Sequence, residues 1–224
     1  MSKICNAASI AICMKVALCI TGMLRRFQPV NFVMSGWLRH SDTFIALDDA
    51  RVRFSTPTDS SMDRNAVSSY NSSHLAERDA REIFPSLKFF KVYSFTSAER
   101  TFKVPQQYAP DPMASNSILH MYLLHELIVA QVAPDYEYIV KGREDLYFFK
   151  PIPPDWRPNP KCDVTTKACL SWGGINMRLQ WYTFSVGRAL LSTRMRDSWK
   201  VTVKNPESFE SAQVRLHSYT SCTV

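Results

Sequence analysis

Short apolar runs that stop at turn residues alternate along this sequence with stretches of helical periodicity, and that alternation narrows the fold more than any single motif. Val16–Thr21 is an apolar run ending at Gly22, a strand followed by a turn. Asp42–Leu47 reads as a second strand closed by Asp48 and Asp49, and Phe89–Phe95 as a third. Tyr136–Lys141 is a further β run, with Gly142, Arg143, Glu144 and Asp145 at its carboxyl end. Between these runs, Leu75–Phe84 has the pattern of a short amphipathic helix stopped by Pro85. Over Ser117–Val132 the residues Ile118, Met121, Tyr122, His125, Val129 and Val132 recur at three- and four-residue steps, the clearest helix in the chain. A second helical stretch lies around Thr183–Ser198, and Pro206 suits the first position of a third over Glu207–Leu216. Residues 55–73, rich in Ser, Thr, Asp and Asn, and the proline-rich 151–160 read as loops. This order predicts an α/β fold with a mostly parallel central sheet and helices on its faces. With no repeat and no dividing linker, a single domain is expected over residues 15–224.

Several chemistries drop out early. The 224 residues hold only 6 glycines, and no two have the G-x-G spacing of a dinucleotide fingerprint or the spacing of a P-loop. The 6 cysteines contain no C-x-x-C, which removes a zinc ribbon or thioredoxin site. Cys162 and Cys169 are close enough in sequence to bridge a loop, and two buried free thiols are the equal alternative. His125 and Glu126 lack a second histidine at position 129, where valine sits, and Thr183 stands where a nucleophile elbow needs glycine. His125 reads as a packed core residue. The apolar stretch from Ile4 to Leu24 is broken by Asn6 and Lys15, so no spanning helix is predicted. Residues 1–14 read as an N-terminal extension, with a weak signal or anchor remnant as the alternative. Asn71, Ser72 and Ser73 form a glycosylation sequon, informative only in a secretory compartment. The compartment stays open between cytoplasm and the Golgi or endomembrane lumen.

The formal charge of +7 is unevenly spread. Residues 1–53 and 150–224 are net basic, whereas 54–149 are net acidic. Basic ends around an acidic middle suit a cleft that holds an anionic ligand beside one or two carboxylates. Nucleic-acid binding is the rival reading of that charge, but no long Lys/Arg run and no binding motif accompanies it. In parallel α/β sheets ligands bind at the carboxyl ends of the strands. Three positions follow from that rule: Gly22–Arg26, Asp48–Asp49 and Arg143–Asp145.

Three segments, in order, resemble a family. Lys15–Phe27, with its apolar strand, Gly22 and the arginines Arg25 and Arg26, resembles the opening of a group of nucleotide-sugar glycosyltransferases. Tyr136–Phe148 is similar to their strand that ends in Arg-x-Asp-Leu-x-Phe. Trp172, Gly173, Gly174, Ile175 and Asn176, then Arg178 and later Pro206 and Glu207, are similar to their downstream elements. The likeness runs from about Lys15 to His217, and order and spacing carry it. It implies a GT-A-like, Rossmann-like three-layer sandwich that moves a sugar from a nucleotide donor to a glycan or other hydroxyl acceptor.

Under that resemblance, Arg143–Asp145 stands where metal-dependent members carry Asp-x-Asp, so Asp145 is the first catalytic candidate. A divalent cation, Mn²⁺ or Mg²⁺, would be held by Asp145 and His217 to neutralise the departing phosphate. Arg143 in place of the first aspartate puts that metal in doubt. Direct contact of Arg143 with phosphate, and of Asp145 with the donor ribose, is the alternative. Donor contacts are expected from Gly22, Arg25, Arg26, Asp48, Asp49, Arg143, Gly173, Gly174, Asn176 and Arg178, and Glu207 or Glu210 is the candidate base for the acceptor hydroxyl. Each has a plainer reading: an exposed basic turn for Arg25 and Arg26, helix caps for the two aspartates, tight turns for the glycines, and a favourable helix macrodipole for the glutamates. The altered Arg-Glu-Asp triplet also leaves open an inactive relative that binds nucleotide or glycan without turnover.

Overall fold

The computed structural model describes residues 14–49, 70, 72–95, 123–166, 179–192 and 211–223, together with the backbone alone of 206–210. Seven strands form one sheet: β1 (Val16–Met23), β2 (Asp42–Asp48), β3 (Leu87–Tyr93), β4 (Tyr138–Arg143), β5 (Val164–Thr166), β6 (Leu179–Thr183) and β7 (Ser221–Thr223), in the order β3-β2-β1-β4-β6-β5-β7. β1 is parallel to both β2 and β4, β2 is parallel to β3, and β6 alone among the described strands is antiparallel to its neighbours. The described helices are α1 (Ser73–Ile83), α2 (123–129), α3 (Phe184–Leu190) and α4 (Pro206–Leu216). β1 to β4 come where the apolar runs predict them, with ends shifted by one or two residues, whereas β5, β6 and β7 are not predicted. The stretch around 183–198 instead begins with β6, and only Phe184–Leu190 of its described part is helical.

β1 sits near the middle of the sheet, and its first six residues are all buried, as a strand covered on both faces requires. Side-chain alternation divides it between two cores. Ala17 and Cys19 join Phe44, Ala46, Ile139 and Tyr182 on the face covered by α2, α3 and α4. Val16, Leu18 and Ile20 join Ile45, Leu47, Val140 and Trp181 on the other face, under α1 and the 3-10 turns of Pro29–His40. The result is three layers, helix–sheet–helix, an α/β sandwich around a mostly parallel sheet. At the far side, β3 is only half buried and carries Lys88 and Lys91, a common protection for an exposed edge.

Aromatic packing fixes the second face. Phe32 is fully buried between Phe84 and Phe148, with ring centroids at 5.3 and 5.7 Å. Trp181 lies between Trp37 and Trp156, and Trp37 Nε1 donates to the Pro153 carbonyl at 3.0 Å. The proline-rich loop that follows β4 is thereby held against the sheet. On the first face α3 approaches closely at Gly187, where a Cβ would stand 3.0 Å from Tyr182 Cβ and 3.1 Å from Ile139 Cβ.

Cysteine pairing differs from both expectations. Cys162 is joined to Cys222, 60 residues on in sequence, where β5 and β7 run side by side. Cys169 lies outside the described residues, and Cys19 is a buried free thiol whose ionisation burial pushes up. The bridge staples the short strand β7, which has three residues and little buried surface, to the sheet edge. Loop-closure entropy for a ring of that size corresponds to about 4 kcal/mol. We expect Cys222→Ser to lower unfolding stability by up to that amount, and reductant to do the same to the native protein but not to the variant. Guanidinium denaturation with and without reductant checks this; equal curves for all four samples would show that the bridge contributes nothing.

Candidate active site at the strand ends

Register brings together residues that are remote in sequence. Thr21 stands opposite Arg143 in the β1–β4 pair, and Met23 opposite Asp48 in the β1–β2 pair. The carboxyl ends of β1, β2 and β4 therefore open side by side on one rim of the sheet. After Met23 the chain winds into the short 3-10 turn Leu24–Arg26, which buries Leu24 and leaves Arg25 exposed and Arg26 partly exposed. After Arg143 it turns sharply: Leu146 N–H donates to the Arg143 carbonyl at 3.2 Å, and Glu144 N–H donates back to the Thr21 carbonyl at 3.1 Å. Gln28 N–H donates to the Glu144 carbonyl at 3.2 Å, tying the two turns together.

A compact charge cluster results. Asp145 Oδ2 accepts from Arg26 at 2.8 Å and from Arg143 at 2.7 Å, two guanidinium groups on one carboxylate oxygen. The other oxygen, Oδ1, is buried without a hydrogen-bond partner among the described residues. Glu144 points the other way, into the space over Gly22, with Arg26 Nε 3.7 Å from its Oε1. Gly22 has φ +150°, and a Cβ there would stand 2.0 Å from Glu144 Oε2. Gly22 is thus glycine for a double reason: its backbone conformation, and the carboxylate that occupies the place of a side chain. At Gly22, where a donor contact is expected, the space beside the backbone is filled by Glu144. Glu144 is 4% exposed, and burial, assisted by the Asp145 charge, holds its pKa above the ordinary glutamate value against the opposing pull of Arg143 and Arg26.

Behind this rim, on the α2 face, lies a buried polar layer that periodicity alone does not announce. Thr21, Asp48, His125, Lys141, Gln180 and Gln213 are all buried. Thr21 Oγ1 is 3.5 Å from His125 Nε2, and Tyr182 donates its hydroxyl to Gln180 Oε1 at 2.8 Å. Burial, reinforced by the Lys141 charge, pushes His125 well below its usual pKa, so the imidazole is neutral at pH 7. Histidine as a packed core residue, as the sequence reads, describes its position. Asp49 sits at the end of β2, with its N–H donating to the Tyr93 carbonyl at 3.1 Å and its carboxylate accepting from Ser94. Two exposed aromatics, Tyr147 and Phe149, follow Asp145, because the buried Leu146 and Phe148 alternate with them.

His217 is not part of this rim. It comes directly after α4, is exposed, and stacks on Tyr219. Ser218, at φ 56°, ends that helix and delivers the chain to the start of β7. Ser221 is level with Val164, Val164 with Tyr182, and Tyr182 with Ile139. His217 therefore lies toward the amino ends of the parallel strands, and Asp145 beyond their carboxyl ends. The four residue steps from Ile139 to Arg143 alone span roughly 13 Å, with three strand spacings to the side. Among the described residues no three His, Cys, Asp or Glu side chains gather as metal ligands. A cation at Asp145 would also face two guanidinium groups at hydrogen-bond distance from the same oxygen. The expected pairing of Asp145 with His217 around Mn²⁺ or Mg²⁺ does not fit this geometry. Since α4 ends at the amino side, its first turn, with Glu207 and Glu210, starts toward the carboxyl ends; their side chains, and Gly173, Gly174, Asn176 and Arg178, lie outside the described residues.

Two outcomes follow from the Glu144–Gly22 contact. Gly22→Ala should destabilise severely, whereas Gly22→Ala combined with Glu144→Ala should recover part of the loss, a coupling readable in a double-mutant cycle by urea unfolding. Additive losses would mean that the two residues do not share that space. Because the folded-state pKa of Glu144 is raised, its proton is bound more tightly in the native protein, so this group's contribution to stability falls as pH climbs from the ordinary glutamate value toward the raised one. Over that window Glu144→Gln should flatten the pH dependence relative to wild type; parallel curves would contradict the burial of the charge.

No protein-family model matches the sequence, and no curated protein matches it. Among the solved structures that resemble the chain is mouse xyloside xylosyltransferase 1 in its apo form, with a TM-score of 0.41 and 9% identity over 93% of this chain and 84% of that one. Another is the 4-diphosphocytidyl-2C-methyl-D-erythritol synthase of Anaerococcus prevotii, with a TM-score of 0.47 and 10% identity over 98% of this chain and 89% of that one. Likenesses this distant carry no argument; the strand order, the one antiparallel strand and the two cores stand by themselves as an α/β sandwich.

Proposed function

We propose that this protein transfers a sugar from a nucleotide-sugar donor to a hydroxyl acceptor at the carboxyl ends of β1, β2 and β4. The observation that carries the reading is the convergence of Arg26, Arg143 and Asp145 from turns 119 residues apart on the rim where parallel sheets bind ligands. In such a transfer the bond from the anomeric carbon to the phosphate oxygen breaks, and its electron pair leaves with the diphosphate. The acceptor oxygen forms the new bond to that carbon and gives up its proton. The growing charge on the leaving diphosphate has to be stabilised, and guanidinium groups fixed before the reaction do so without reorganisation. Asp145 sets the positions of both. Its buried Oδ1 suits a donated hydroxyl, such as that of the donor ribose. Glu207 or Glu210, near the start of α4, is the proposed base that takes the acceptor proton. Tyr147 and Phe149 offer apolar ring faces beside the same turn, as sugar rings favour.

Cys162–Cys222 is the kind of bond that persists in oxidising compartments. It supports placing the protein in an endomembrane lumen rather than the cytoplasm, where the sequon at Asn71 would also be read. Among the described residues no helix is long and apolar enough to cross a membrane.

A second reading has its own observation. The carboxylate that stands for the metal-binding aspartate is already taken up by two arginines, as suits a relative that binds nucleotide without turnover. A screen of UDP-, GDP- and CMP-sugars, read by released nucleotide, separates the two. Transfer predicts release with at least one donor, falling by about a hundredfold or more in Arg143→Met. Nucleotide binding with no release from any donor, in the presence of a broad acceptor panel, would establish the inactive relative.

A further inference from the structure

The two-arginine cluster specifies how the leaving group is held, a point that rests on the strand-end reading above but makes separate demands. We infer that the rim of β1 and β4 is a metal-independent diphosphate clamp, in which Arg26 and Arg143 grip the anion and Asp145 is the built-in counterion that the diphosphate displaces or shares.

Geometry supplies the argument. Both guanidinium groups aim at a single oxygen, Asp145 Oδ2, and both are partly solvent-exposed, at 33% for Arg26 and 29% for Arg143. A carboxylate is smaller and carries less charge than a diphosphate, but it offers the same kind of acceptor oxygens. One Nη2 from each guanidinium meets that oxygen, at 2.8 Å for Arg26 and 2.7 Å for Arg143, and guanidinium groups that hold a carboxylate oxygen suit a phosphate oxygen equally well. The arginines come from different elements, the turn after β1 and the end of β4, so the sheet itself sets their spacing. Glu144, the other carboxylate nearby, is turned away into the gap over Gly22 and does not project toward the convergence point.

The sign of one substitution distinguishes this clamp from a metal site. If Asp145 ligates a metal, removing its charge weakens diphosphate binding. If Asp145 competes with diphosphate for the two arginines, removing its charge strengthens binding. The experiment is calorimetric titration of the full chain with inorganic pyrophosphate in EDTA, and with UDP and GDP in EDTA or in Mn²⁺. Expected are binding in EDTA, a change of less than about threefold on adding Mn²⁺, a loss of about tenfold or more in Arg143→Met, and, for pyrophosphate, which has no ribose to contact Asp145, a gain of about threefold or more in Asp145→Asn. If Arg143→Met does not fold, Arg143→Lys, which keeps the charge but loses the fork, replaces it and should still weaken binding. Thermal denaturation with and without pyrophosphate gives the same ranking for Asp145→Asn should its apo form be unstable.

Nucleotide binding that requires Mn²⁺, or an Asp145→Asn protein that binds pyrophosphate more weakly, would overturn the clamp and leave the transferase reading standing. Pyrophosphate bound in EDTA with no affinity for either nucleotide would sustain the clamp and remove the support for a nucleotide-sugar site. No binding of any of the three probes under any condition would overturn the clamp outright.

Discussion

The parallel pairing of β1 with β4 is the constraint on which the rest of the site depends. Placing Thr21 opposite Arg143 forces the turns after both strands to share one small volume. That volume has to accept four charged side chains, Arg26, Arg143, Glu144 and Asp145, within contact distance of one another. It does so by sorting them. One carboxylate goes inward, into the place that Gly22 leaves empty, and the other stays at the rim between two arginines. A larger residue at position 22 would undo the sorting, because Glu144 would then have to share the rim.

That sorting also sets the electrostatics. An ion pair at a surface contributes little to stability, and none of the pairs on this rim is fully buried on both sides. What the cluster provides is orientation: two cations are held in place by one shared carboxylate oxygen. Beneath it, the layer formed by Thr21, His125 and Lys141 places polar groups, a neutral imidazole among them, between the rim and the apolar core of the α2 face. A metal-centred site would instead concentrate oxygen and nitrogen ligands, and here His217 is at the other end of the sheet.

Much of this was legible in the sequence, for identifiable reasons. β1, β2 and β4 are buried strands with dense apolar runs, and α1 stops where Pro85 follows, so periodicity and punctuation locate them. The rule that ligands sit at strand ends then singles out Gly22–Arg26, Asp48–Asp49 and Arg143–Asp145, and the first and third of these spans hold the charge cluster. β5 and β7 have three residues each, too short to show a period, and β6 merges in sequence with the helix that follows it. Strands of that kind are made by their neighbours, so no local pattern announces them. The bridge from Cys162 to Cys222 depends on the same unseen pairing. Glu144 lay inside the recognised triplet, yet the inward turn of its side chain depends on a glycine 122 residues earlier in the chain, a contact that only register reveals.

The central claim is that guanidinium groups, not a metal, meet the diphosphate at this rim. A crystal structure of the protein grown with UDP or GDP in excess Mn²⁺, with anomalous data collected at the manganese edge, tests it most directly. The account predicts phosphate oxygens within hydrogen-bond distance of Arg26 and Arg143 and no anomalous peak at Asp145. A manganese peak bridging Asp145 and the diphosphate would contradict it.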